Sequence, residues 1–355
     1  MKIFFLIKSL ESAGGTERVT TVIANELSRE GNEVSIICLQ KCVPFFKLRE
    51  TVNVIPLNNK ESINIYKTYL PTVWRLRQLL KREKPNCIID VCSAMSLWSL
   101  PAKFALDIKL ISWEHFNAHV NWNPITSPLA RKLVSKFADH VVVLTETDRE
   151  VYQNEYKAQR VTCIVNPITI EKKQTTTLSS KKVLAVGRLE DQKGFDLLLQ
   201  TWKLCNCVNL GWKLEIIGSG SKESELKSMI TSLNLHDSVT MREPVTDMVS
   251  EYLNASLYVL SSRFEGLPLV LIEAMSMGLP IVSFDCETGP RDIVKDGENG
   301  FLVPPMDIKA LAEKIDFLVS SPNLLKSFSE NAVRYSMRFD LAPVMEEWKL
   351  LLKDL

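Results

Sequence analysis

The sequence predicts an α/β protein built of two Rossmann-like, doubly wound parallel-sheet domains, and three observations carry that prediction. Short, continuously apolar runs alternate with helix-length segments through both halves of the chain, the pattern of parallel strands covered on both faces. Glycines follow the ends of these runs, at Gly14 and Gly15, at Gly187 and Gly194, and at Gly218 and Gly220, on the edge where doubly wound sheets bind ligands. Between the halves lies EKKQTTTLSSKK, residues 171–182, whose scarcity of apolar residues suits a linker. The 355 residues suffice for two cores. The expected boundaries are a first domain over 1–170, the linker over 171–182 and a second domain over 183–340.

In the first half, residues 3–7 read as a buried strand, 12–16 as a small-residue loop, 17–30 as a helix and 34–39 as the next strand. The glycines allow close backbone approach to a ligand. The G-x-G-x-x-G spacing is absent, which disfavours a dinucleotide. Residues 62–84 form a helix-prone segment rich in Lys, Arg and aromatic residues, Tyr66, Tyr69 and Trp74 among them. Such a segment suits an anionic bilayer surface; an ordinary helix covering the sheet is the preferred reading. Further strands are expected over 87–91, 110–113, 141–144 and 161–165. The loop after 110–113 holds Glu114, His115 and His119, and so two of the chain's four histidines. At a strand's C-terminal end His115 suits donation to a sugar hydroxyl or phosphate, or proton transfer. His119 reads as structural.

In the second half, strands are expected over 183–186, 214–217, 239–241, 257–260, 281–284 and 301–303, and late helices over 308–318 and 342–352. Residues 261–284, SSRFEGLPLVLIEAMSMGLPIVSF, read as a strand end, a loop, a short helix and another strand. Pro268 is placed in the first helical turn and Gly278 at the C-cap, with Glu265 in the loop and Glu273 within the helix. Free N–H groups and the dipole at the start of this helix suit a phosphate. Carboxylates beside a phosphate make sense if they bind hydroxyls, as on a sugar or ribose. Arg188 and Lys193 lie five residues apart in a turn after a strand, and two cations so placed can stabilise a departing diphosphate without a metal. No Asp-x-Asp motif for a divalent ion is present.

Composition is that of a soluble globular protein, 46% apolar and 24% charged, with net charge +1. The charge is uneven, +6 over residues 1–170 and −5 over 171–355. A basic first half fits an anionic partner such as a membrane surface, and chance unevenness is the competing account. The eight cysteines include no C-x-x-C pair, and Cys205 and Cys207 are too close together for a metal knuckle, so free thiols in a cytosolic chain are expected. The N-terminal apolar run is short and broken by Lys8, unlike a signal peptide. No apolar run is long enough to span a bilayer.

Taken together, these motifs resemble the family 4 glycosyltransferases, retaining enzymes of the GT-B fold, across most of the chain. Gly14-Gly15-Thr16-Glu17-Arg18 is similar to the family's first glycine loop, and Glu114-His115 to its motif after a central strand. Gly187-Arg188-Leu189 to Lys193-Gly194 resembles its phosphate-binding turn. Glu265-Gly266-Leu267-Pro268 to Glu273-Ala274-Met275 resembles its Glu-x7-Glu motif, the most specific signal. Gly278-Leu279-Pro280-Ile281-Val282 and Asp296-Gly297-Glu298-Asn299-Gly300 complete the pattern. The chain looks most like transferases of capsule, exopolysaccharide, O-antigen or lipid-linked oligosaccharide assembly.

The resemblance implies two domains facing a central cleft, with a C-terminal helix over 341–355 packing back on the first. It implies that Arg188 and Lys193 bind the donor's diphosphate, Glu265 the sugar hydroxyls, the backbone at Gly266 and Leu267 the phosphates, and Glu273 the ribose. Gly14 and Gly15 would approach the phosphate or the reacting sugar, and His115 would lie near the donor sugar. The loop at Pro244 would read the base, although Arg242-Glu243 stands where many relatives have Leu-Gly, and Arg291-Asp292 replaces a commoner Pro-Glu. The implied reaction is front-face transfer, with retention, of a hexose or N-acetylhexosamine from a nucleotide sugar, UDP-linked by preference, to a lipid-linked saccharide. No metal, cofactor or nucleic acid is expected. The implied location is cytoplasmic, with peripheral contact to the inner leaflet as an option. Two other classes stay open. A non-hydrolysing nucleotide-sugar epimerase shares the fold but would need acid–base carboxylates on both faces of its substrate. A non-catalytic nucleotide-sugar-binding subunit is disfavoured by the full set Arg188, Lys193, Glu265 and Glu273.

Overall fold

The computed structural model describes residues 1–61, 65–172 and 174–355, with the side chains of residues 65 and 66 outside that description. Along the chain it forms β1 (Lys2–Ile7), α1 (Gly15–Arg29), β2 (Glu33–Cys38), β3 (Val52–Pro56), α2 (Ile65–Glu83), β4 (Cys87–Val91), α3 (Ser96–Lys103), β5 (Lys109–Trp113), α4 (Thr126–Phe137), β6 (His140–Val143), α5 (Glu146–Asn154) and β7 (Val161–Cys163). There follow β8 (Lys182–Val186), α6 (Phe195–Leu204), β9 (Lys213–Ile217), α7 (Glu223–Ser232), β10 (Val239–Arg242), α8 (Met248–Leu253), β11 (Leu257–Leu260), α9 (Leu269–Ser276), β12 (Ile281–Phe284), α10 (Pro290–Ile293), β13 (Gly300–Val303), α11 (Ile308–Val319), α12 (Pro322–Ser336) and α13 (Leu341–Lys353). The chain divides into two compact units, Met1–Thr169 with Leu341–Leu355, and Ile170–Asp340.

The first unit holds a parallel sheet in the order β3-β2-β1-β4-β5-β6-β7. Residues 3–7 of β1 are buried without alternation because helices cover both faces. On one face α2 inserts Leu76, Leu79 and Leu80 among Phe4, Leu6, Ile88 and Leu110. The helix expected over 62–84 is therefore a sheet-covering helix over its described part, while its first residues, 62–64, lie outside the described residues. Three elements of this unit escaped the sequence reading for identifiable reasons. β3 ends in Pro56, which a strand tolerates here because β3 is the sheet's edge. α3 carries Pro101 and two serines, and α4 carries Pro128 in its first turn, so neither reads as a helix-forming run.

The second unit repeats the plan with six strands in the order β10-β9-β8-β11-β12-β13, all parallel. Its core gathers Leu198, Leu199 and Trp202 of α6, Leu214 and Ile216 of β9, and Leu311 and Ile315 of α11. The polar stretch before β8 is tied to this unit by its hydroxyls. Thr176 Oγ1 donates to Ala255 O at 2.6 Å, Thr176 N to Met277 O at 2.8 Å and Ser180 Oγ to Asn254 O at 2.8 Å.

α13 belongs to the first unit although it is the last element. Trp348 is fully buried and meets Trp113 at the end of β5 edge-on, 5.0 Å between centroids. Lys349 Nζ pairs with Glu30 Oε1 at 2.8 Å beyond the end of α1. Aromatic burial of this kind dominates local energetics. Trp348→Ala is expected to lower stability by about 3–5 kcal/mol, measured by urea unfolding, whereas Lys349→Ala, which removes an exposed pair, leaves the unfolding midpoint nearly unchanged.

Candidate functional site

In the second sheet the strand order reverses between β8 and β11, which lie side by side. The loops leaving their C-terminal ends stand where an open α/β sheet binds its ligands. The loop after β8 carries Arg188, Gln192 and Lys193; the loop after β11 carries Ser262, Arg263, Glu265, Gly266 and Leu267. They are bound to each other by Arg263 N to Gln192 O at 2.8 Å, Gln192 Nε2 to Phe264 O at 3.1 Å and Ser261 Oγ to Lys193 O at 3.0 Å. The Arg263 guanidinium grips Asp196, in the first turn of α6, with both arms at 2.7–2.8 Å. Gly194 makes this approach possible: its φ is +61°, and a Cβ there would strike the carbonyl oxygen of Ser261.

The chemistry converges on Glu265. Its Oε1 accepts from Lys193 Nζ at 2.6 Å and from Ser262 Oγ at 2.6 Å, and the carboxylate is buried. Among the described residues none donates to Oε2. Its backbone is fixed by Thr288 Oγ1, which donates to Glu265 O at 2.5 Å. Gly289, with φ +93°, lies against the carbonyl of Gly266, where a side chain would collide. Arg188 is exposed and joins the cluster through Gln192, its Nη2 donating to Gln192 Oε1 at 3.0 Å. Pro268 is the N-cap of α9 in extended conformation, one position earlier than the first-turn placement expected for it. The first-turn N–H groups of α9 thus start beside Gly266 and Leu267. Glu273 sits inside α9, buried, and accepts from Tyr252 OH at 2.9 Å. Neither Ser262, Thr288 nor Tyr252 was singled out by sequence, since isolated hydroxyls carry no pattern.

Pro244 is exposed beyond β10, and the unusual Arg242 beside it is accounted for by an ion pair with Glu215 and a second with Glu251 at 3.0 Å. Arg291 likewise grips Asp285 at 2.8 and 3.1 Å. Among the described residues one group, Cys205, Cys207 and Asp316, brings possible metal donors within 4.8 Å. Asp316 already accepts from the backbone N–H groups of Asn206 and Cys207, both at 2.8 Å. Its place between α6 and α11 is apart from the loops after β8 and β11.

The other expected site residues lie in the first unit. Gly14 is the extended N-cap of α1 and Gly15 its first helical residue, so the helix begins inside the stretch expected to be loop. His115 follows β5, buried, its ring 4.2 Å from that of Trp113, and its Nε2 has no hydrogen-bond partner. Burial pushes the imidazole down to about 3, so it is neutral at physiological pH. Its neighbour Glu114 is buried and accepts from Ser93 Oγ at 2.6 Å, Tyr152 OH at 2.9 Å and Arg131 Nε at 3.4 Å. Arg131, equally buried, also donates to Val120 O at 2.8 Å and Asn121 Oδ1 at 2.9 Å. The pair thereby holds the segment that follows His115. His119, expected to be structural, faces Glu155 Oε1 at 3.1 Å.

Residues 13–172 match the family described as Glycosyltransferase Family 4, and residues 168–335 match Glycosyl transferases group 1. The chain is 36% identical over 352 residues to an uncharacterized glycosyltransferase of Haemophilus influenzae, covering 99% of both chains. It is 30% identical over 361 residues to the Campylobacter jejuni GalNAc-alpha-(1->4)-GalNAc-alpha-(1->3)-diNAcBac-PP-undecaprenol alpha-1,4-N-acetyl-D-galactosaminyltransferase, covering 100% of this chain and 99% of the other. Among solved structures, Anabaena HepE in complex with UDP and glucose superposes with a TM-score of 0.84 at 21% identity, all of both chains being covered. That likeness is one of fold, GT-B.

With His115 at about 3 in the folded state and near 6.5 when unfolded, the unfolded chain binds the extra proton between those values. Stability is therefore full above pH 6.5 and falls by about 1.4 kcal/mol per unit as pH drops through that window. His115→Gln is expected to remove this slope from urea denaturation measured between pH 4 and 7. Arg131→Ala leaves the Glu114 carboxylate buried and uncompensated, at a cost of about 3–5 kcal/mol in the same assay.

Proposed function

The chain belongs to glycosyltransferase family 4, and from that premise we propose that it transfers a hexose or N-acetylhexosamine from a UDP-linked donor to a lipid-linked saccharide in the assembly of a bacterial surface polysaccharide. The observation that carries this reading is the Lys193–Glu265 pair at 2.6 Å where the second sheet's strand order reverses. An ammonium has three donors. One is given to Glu265, and two are left for phosphate oxygens. Arg188 adds a second, planar cation on the same loop. These are the groups that a departing diphosphate needs for its developing charge. Glu265 Oε2 is the acceptor for a sugar hydroxyl, the N–H groups at Gly266, Leu267 and the start of α9 receive phosphate, and Glu273 receives the ribose. Pro244 borders the base.

The transfer proceeds on one face of the sugar, with retention of configuration. The anomeric carbon–oxygen bond breaks as the diphosphate leaves, the acceptor hydroxyl forms the new bond, and its proton passes to the departing phosphate oxygen. Positioning and charge stabilisation supply the catalysis, with no nucleophile from the chain. In the first unit, neutral His115 and the backbone at Gly14 and Gly15 are the candidate sugar-contacting groups. The two cations do the work of a divalent ion, so no metal is needed. A UDP-bound structural neighbour and a relative whose name specifies an undecaprenol-linked acceptor support the substrate classes.

The test is a panel of UDP-hexoses and UDP-N-acetylhexosamines offered with undecaprenyl-diphosphate-linked saccharides, with products identified by mass spectrometry. Lys193→Ala and Glu265→Ala are each expected to lower kcat by about 10²-fold or more with the fold intact by circular dichroism. Full activity in both variants would refute the site. Added EDTA leaves the rate unchanged, and the anomeric coupling of the product by NMR matches that of the donor; inversion would refute the one-face mechanism.

A further inference from the structure

A functional imidazole is ordinarily oriented by a hydrogen bond to one of its ring nitrogens. No such bond reaches Nε2 of His115 among the described residues, although that atom is buried. The main chain on either side of the residue is fixed. Glu114 N donates to Val142 O at 2.8 Å, which continues the sheet ladder past the end of β5, and Arg131 Nη2 donates to Asn117 O at 3.2 Å. Rotation of the side chain is what packing must settle. The ring that His115 packs on is Trp113, 4.2 Å between centroids and inclined at 52°. The two residues are two positions apart on a chain that is still extended, so their side chains project to the same side.

Trp113 is itself placed by contact alone. It is 1% exposed, and its Nε1 has no hydrogen-bond partner among the described residues. Trp348 of α13 meets it edge-on, at 78° and 5.0 Å between centroids. Trp348 in turn is anchored by its helix, which buries Val344, Met345, Leu351 and Leu352 alongside it. Three rings therefore follow one another from α13 to the residue after β5, with packing as the link at each step. An interior packed at this density transmits a displacement instead of absorbing it. Volume removed at position 348 leaves a space into which the Trp113 ring relaxes, and His115 loses the surface that orients it.

We propose that Trp348 is a positioning residue: through Trp113 it fixes the orientation of the His115 ring, so that α13 sets the geometry of a sugar-contacting group from outside the site. The bearing on transfer rests on the sugar contact proposed above for His115. Filling the core asks only for apolar volume at position 348. Holding Trp113 edge-on asks for a ring there.

The experiment compares Trp348→Phe, which keeps a ring, with Trp348→Leu, which keeps only apolar volume. The full chain is labelled in its histidine rings for NMR, and the His115 signal is identified by its loss in His115→Gln. In Trp348→Phe the signal and kcat stay close to those of the parent. In Trp348→Leu the signal moves, and kcat per folded molecule falls by about tenfold or more. The Kd for UDP is unchanged in both, since the groups assigned to the nucleotide lie in the second unit. In a His115→Ala background Trp348→Leu costs no further activity, because residues that act through one another are not additive. Should Trp348→Leu fail to fold, Trp348→Met, with a flexible chain that fills irregular space, takes its place. A His115 signal unmoved in the folded Leu or Met variant, or a kcat loss of equal size with and without His115, overturns the positioning role. Full activity in His115→Ala overturns the sugar contact instead, and the ring signal still decides the positioning.

Discussion

Much of the second unit's arrangement depends on one constraint: the loops after β8 and β11 must run against each other at the reversal of strand order. The Lys193–Glu265 contact exists because that reversal is there. A buried carboxylate unpaired with a cation is costly, so the lysine and glutamate stabilise each other's position while holding opposite charges in a place where water is scarce. The hydrogen bonds between Gln192 and the Arg263–Phe264 segment, with the Arg263–Asp196 clamp, make the arrangement stiff before any ligand arrives. That stiffness is what preorganised charge stabilisation needs: dipoles that do not reorganise when charge develops.

The first unit solves a different problem with similar means. Glu114 and Arg131 are both buried, which is tolerable only because Ser93, Tyr152 and the carbonyl of Val120 complete their hydrogen bonds. His115, next in sequence, has no such provision and stays neutral, with its Nε2 unpartnered. Neighbouring residues thus divide into one that is fully satisfied and one that is not. The unsatisfied one has the unmet bonding capacity.

All strands except the edge strand β3 were legible because a parallel sheet covered on both faces writes itself as unbroken apolar runs, and β11 and β12 stand at the residues expected. Helices that carry proline or serine in their middle, α3 above all, were not legible, because tertiary cover rather than propensity holds them. At the site, Lys193 and Glu265 could be named from sequence since loops at strand ends announce themselves through glycine. Their direct pairing could not, because it depends on which strands are neighbours. Nor could Ser262, Thr288 or Tyr252, whose hydroxyls are placed by the fold alone. The basic, aromatic stretch of α2 was visible as composition.

The seating of α13 has a bearing on how the molecule comes into being. Trp113 is near the middle of the first unit's sheet, and the ring that covers it, Trp348, is synthesised only after the whole of the second unit. During synthesis the first unit emerges with this apolar surface uncovered, and it waits through the whole of the second unit for its closing helix. Folding order cannot follow chain order here. The second unit, contiguous from Ile170 to Asp340, is complete before the first one is. A chain cut short anywhere before α13 loses part of its first unit, however intact its second.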